Sequence, residues 1–122
     1  MSDRILKKGT GWRLGWDKQA TTYPILIGGE NWAIELSKAE FADFCRLFEQ
    51  LTITMNSMAE ELMEEERIAC EAESELLWLE VEGFPHAYSM RVILNRGRRC
   101  EGNWTAEVVR ELYQEIQKLN TF

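Results

Sequence analysis

In YPILIGGENWAIELSKAEF, Tyr23 to Phe41, apolar residues recur at every second position and then give way to a helix start. Gly29-Glu30 suits a two-residue type II′ turn, with glycine at its first central position. Counting outward from that turn pairs Ile27 with Trp32, Ile25 with Ile34 and Tyr23 with Leu36, which puts all six on one face. Ser37-Lys38-Ala39-Glu40 is a capping box, the hydroxyl and the carboxylate each satisfying a backbone donor at the helix entrance. A hairpin that runs directly into a capped helix predicts an α+β fold.

Upstream, GWRLGW alternates Trp12, Leu14 and Trp16 against Gly11, Arg13 and Gly15, the pattern of a half-buried strand. Residues 1–8, which include Lys7 and Lys8, read as a flexible start, and residues 9–122 as one domain. Downstream, Phe41, Phe44, Phe48, Leu51, Met55, Met58 and Leu62 follow a spacing of three and four. Such a seam suits a coiled-coil contact or, more commonly, one long helix lying against a sheet.

The helix leads into the most acidic part of the chain. Residues 60–82 hold ten Glu against Arg67 alone, so this segment carries −9 in a chain whose total is −7. The remainder is therefore mildly basic. From Arg67 the period returns to two. A turn at Ser74-Glu75 pairs Ile68 with Val81, Cys70 with Leu79 and Ala72 with Leu77, and it keeps the glutamates of the outer face from standing opposite one another. Tyr88, Met90, Val92 and Leu94 form the next inward row. A three-residue loop, Arg96-Gly97-Arg98, sets Cys100 opposite Leu94 and Trp104 opposite Met90. Thr105 caps a last helix with Val109, Leu112, Ile116 and Leu119 inward. The expected order is βββ-α-ββββ-α. A weak repeat supports a duplicated sheet-plus-helix unit, since YPILIGGENWAIELSKAEF and YSMRVILNRGRRCEGNWTAEVV each begin at Tyr, turn at Gly, meet a Trp and enter a capped helix.

The 122 residues, 45% of them hydrophobic, suit one folded core and not a disordered chain. No stretch has the roughly 20 apolar residues of a membrane span, and MSDRILKKGTG has no signal-peptide core. The expected compartment is the cytoplasm, or the plastid stroma for a plant homologue. Cys45, Cys70 and Cys100 are odd in number and lack metal-site spacing, so neither disulfides nor a metal centre is expected. Glutamates along a solvated strand lack the unlike environments that acid/base catalysis requires. His86 is the lone histidine, with no nucleophile nearby in sequence, and Gly28-Gly29 lacks a phosphate-binding context. No catalysis and no cofactor are expected; a deep polar pocket around His86 would reopen the enzyme reading.

Two binding readings remain. In the first, Arg13, Arg91, Arg96, Arg98 and Arg99 form one basic patch for single-stranded DNA or RNA, opposite the glutamate-rich face. In the second, the chain is a protein-interaction module that forms a homodimer through Met55, Met58 and Leu62 of the long helix and offers its acidic face to a basic partner.

Taken together, GWRLG, YPILIGGENWAIEL, ELMEEE, CEAES, LWLEVEG, YSMR and GRRCEGNW resemble the cyanobacterial and plant-plastid family of domain of unknown function 1818, over Gly9 to about Leu119. The resemblance implies a fold similar to the Whirly and positive-cofactor-four group of single-stranded-DNA-binding transcriptional regulators. The lysine-rich strand signature of the Whirly family is not visible here, so the resemblance implies no residue roles.

Overall fold

The computed structural model describes residues 4–61, 66–95 and 98–119. Its elements are β1 (Arg4–Gly9), β2 (Trp12–Asp17), β3 (Ile25–Gly28), β4 (Ala33–Leu36), α1 (Lys38–Glu61), β5 (Ile68–Glu73), β6 (Leu77–Phe84), β7 (Ala87–Leu94), β8 (Glu101–Trp104) and α2 (Ala106–Leu119). They form two four-stranded antiparallel sheets, ordered β1-β2-β3-β4 and β5-β6-β7-β8, each followed by a helix. Four strands, not three, precede α1.

The additional strand is β1, whose pattern runs opposite to its neighbours'. Ile5 and Lys7 face inward opposite Trp16 and Leu14, while Leu6 faces outward and is 66% exposed. Lys7 reaches Glu115 of α2, with Nζ 3.6 Å from the carboxylate. An inward lysine and an outward leucine hide a strand from any reading based on alternation. Gly11, at φ 81°, turns the chain back into β2.

Two hairpins turn one residue later than the sequence suggested. In the β3–β4 hairpin Ile25 pairs with Leu36 and Ile27 with Ile34, and Gly29 N donates to Trp32 O at 3.0 Å, so the turn is Glu30-Asn31. Tyr23 lies outside the ladder. In the β5–β6 hairpin Ile68 pairs with Gly83, Cys70 with Val81 and Ala72 with Leu79. Its turn is Glu75-Leu76, because Ser74 Oγ accepts from the amides of Leu76 and Leu77 at 3.1 and 3.3 Å. The later turn places Glu71 opposite Glu80, a like-charge pair that the expected register avoided. Arg91, opposite Glu80 on its other side, supplies the compensating charge. The β7–β8 register agrees with the sequence reading, with Met90 opposite Trp104 and Leu94 N donating to Cys100 O at 2.8 Å.

The capping box forms as expected: Ser37 N donates to Glu40 Oε1 at 2.8 Å, and Glu40 N donates to Ser37 Oγ at 3.1 Å. Helix α1 then lies mainly on β5 and β6, the sheet of the other half, while α2 lies on β7 and reaches β2. One buried cluster draws on both sheets and both helices. Phe41, Phe44, Phe48, Leu51 and Met55 are spent on that cluster, so the helical seam is a core contact. Met55 is 0% exposed and Met58 is half-buried; Leu62 lies outside the described residues.

The sheets are joined where β4 meets β8. Trp32 lies across Gly102, its ring 4.8 Å from that of Trp104, and its Nε1 donates to Asn103 O at 3.1 Å. Trp104 Nε1 donates to Gly28 O at 2.9 Å. Each half thus lends the other an indole. Among the described residues no helix is long and apolar enough to cross a membrane.

Candidate functional site

The arginines singled out in the sequence lie in different settings. Arg13 projects from the outer face of β2, where Nε donates to Gly29 O at 3.0 Å and Nη2 to Trp32 O at 2.7 Å, bracing the β3–β4 turn. Arg98 donates to Glu35 O and to the carboxylate of Glu40, and lies over the ring of Tyr23 at 4.1 Å. It therefore ties the β7–β8 connection to the entrance of α1. Arg91 stands on the outer face of β7, 5.1 Å from the centroid of Trp78 and opposite Glu80. Arg99 is exposed at φ 46°, and Arg96 lies outside the described residues. Arg13 and Arg98 both reach backbone at or beside β4, whereas Arg91 belongs to the other sheet and stands among its glutamates.

The outer faces of the two sheets differ in charge. Across sheet 1 the register aligns Lys8, Arg13, Gly28 and Ala33 in one row and Leu6, Gly15, Leu26 and Glu35 in the next, with Arg4 opposite Asp17 beyond. Three cations meet two carboxylates, and the missing side chain of Gly15 leaves a shallow trough between Leu6 and Leu26. Tyr23, capped by Arg98, stands at its rim. Sheet 2 presents Glu71, Glu73, Glu80, Glu82 and Glu101 against Arg67 and Arg91. Arg67 donates to Glu82 at 2.9 Å and lies 5.3 Å from the centroid of Phe84. Trp78 Nε1 donates to Glu71 at 3.3 Å.

Arg4, Leu6 and Lys8 were missed as neighbours of Arg13 because β1 was not recognised as a strand. Only the inverted alternation of RILKKG, with Lys7 aimed at a helix, signals their placement. No cluster of His, Cys, Asp or Glu suited to a metal ion occurs among the described residues.

The sequence pattern of a domain of unknown function, DUF1818, matches residues 7–119, nearly the whole chain. The chain belongs to the DUF1818 family. A crystal structure from Prochlorococcus sp. NATL2A, described as a protein with unknown function from the DUF155 family, is similar to this DUF1818 chain. Its TM-score is 0.90 and its identity 29%, and the alignment covers 94% of this chain and 98% of that one. No curated protein matches this DUF1818 chain significantly.

Proposed function

We propose that this protein is a binding module that holds single-stranded nucleic acid along the outer face of sheet 1. The observation that carries this reading is the alignment of Arg4, Lys8 and Arg13 beside an apolar trough, while five carboxylates are gathered on the other sheet. A single strand needs a cationic track for phosphates and an apolar or aromatic surface for bases. Leu6, Leu26 and Tyr23 supply the second. The duplicated four-strand-plus-helix unit is consistent with a Whirly-like fold, which is the fold-level part of the same proposal. The compartment is then the cytoplasm, or the stroma in a plastid-bearing host.

The number of cations sets the expected strength. Three phosphate contacts on a single strand give a salt slope of about −2 and a weak complex, micromolar at low salt. Titrating a labelled oligothymidylate by anisotropy at rising salt should return that slope, and Arg4→Glu with Lys8→Glu should abolish binding. Binding that ignores both reversals, or none at low salt, rejects the assignment. In that case the acidic face of sheet 2, with its five carboxylates, favours a basic protein partner. Self-association through the α1 seam would need Met55 to leave the core.

A further inference from the structure

A cavity among the described residues lies away from the outer faces of both sheets. It has a volume of about 360 Å³ and opens between α1, the β6–β7 turn and α2. Thr52 and Asn56 line it from α1, His86 and Tyr88 from the turn and the strand after it, and Arg110 and Tyr113 from α2. This size lies toward the lower end of the range of about 300–1,000 Å³ for small-ligand sites. One ring bearing one acidic group fits such a space better than a dinucleotide.

The lining selects the charge of the occupant. The chain has 21 acidic residues and a net charge of −7, yet among the described residues no carboxylate lines the cavity. Its ionisable nitrogen groups are Arg110 and His86. Both side chains are exposed, and Arg110 makes no ion pair among the described residues. A free guanidinium beside a polar cleft is a ready partner for carboxylate or phosphate oxygens.

The aromatic wall is held in place. The Tyr113 ring packs 5.1 Å from that of Phe48, inside the core, and Tyr88 lines the same cleft. Burial, followed by the Glu49 carboxylate and Tyr88, raises the Tyr113 phenol above its ordinary range, so the hydroxyl stays protonated and able to donate. Thr52 lines the cleft from α1 with its carbon atoms, since its Oγ1 is closed off from solvent and so does not face the occupant.

We infer that this cleft is a binding site for a small aromatic anion, its ring against Tyr88 and Tyr113 and its acid group on Arg110 and His86. None of these residues lies in sheet 1, so the site stands or falls independently of nucleic-acid binding.

The test uses the full chain, labelled with ¹⁵N and titrated with phenyl phosphate and benzoate, with benzyl alcohol and benzylamine as neutral and cationic controls. Both anions should give saturable shifts at the amides of residues 85–88 and 109–114, with a Kd of about 1 mM or tighter for such fragments. Arg110→Gln should weaken the anions about tenfold, or about 1.4 kcal/mol. It should leave the thermal unfolding midpoint unchanged, because the side chain is exposed. Saturable shifts at the other face, equal response to the amine, or unchanged affinity in Arg110→Gln each overturn the inference. So does a lack of saturation up to about 10 mM.

Discussion

Trp32 dictates two glycines. A Cβ at Gly29 would meet its Nε1 at 2.3 Å, and one at Gly102 would meet its ring at 2.4 Å. Gly29 is thus required for space beneath an indole and not for a turn, which explains why a glycine-based turn assignment fell one residue short. Gly102→Ala should destabilise the fold by about 1–3 kcal/mol through overpacking, read as a lower denaturant midpoint. Pairing it with Trp32→Ala should return part of that loss if the indole is the cause. Cys45 gives a second prediction at this scale. Burial, reinforced by Glu49, pushes its thiol from 9.0 up to about 12. Between those values the unfolded chain has released a proton that the native state retains, so stability falls as pH rises. The loss from this group approaches about 1.4 kcal/mol per pH unit above about 9. Urea unfolding at pH 8 and pH 10 should show that increment in the parent and not in Cys45→Ala; equal alkaline losses would exclude Cys45 as the source.

For whole elements, the helical seam shows how far periodicity carries. Spacing of three and four identified α1 and its inward side, and Met55→Ala should cost about 2–5 kcal/mol in unfolding free energy, as a core truncation does. Loss of a dimer with stability intact would instead assign the seam to an interface. The strands were legible by face and less so by register. A period of two is indifferent to a shift of two in pairing, so the inward rows of β3, β4, β5 and β6 were placed on the correct side although their partners were not. Turn chemistry decides what alternation leaves open, and Ser74 Oγ, bonded to two amides, fixes one of those turns. For β7 and β8 the sequence was sufficient, because the shorter loop would have turned Arg99 into the core. Strand β1 was illegible for the converse reason: its lysine answers to Glu115 of a helix distant in sequence. The cleft was beyond sequence reading as well, since Thr52, His86 and Arg110 come from three separate elements.

Taken as a whole, the molecule has two similar halves that share one core, because the helix of the first covers the sheet of the second. Helix α1 leaves the sheet it follows and lies on β5 and β6, and α2 spans from β7 to β2. Thermal unfolding should therefore be a single transition, with near- and far-ultraviolet circular dichroism coincident; two resolved steps would mean that each half keeps its own core. The charge difference between the sheet faces belongs to this scale too, because no single strand contains it. The crossing of α1 has a consequence for the independence of the halves. The first unit alone, β1 to α1, would carry a helix whose apolar side packs mainly on a sheet it does not contain, whereas α2 lies mainly on β7 of its own sheet. The second unit alone would in turn leave β5 and β6 without the helix that covers them, so the two units depend on lying in one polypeptide. Because a buried helix and not an outer face joins them, the exterior of one sheet is acidic without the same being required of the other.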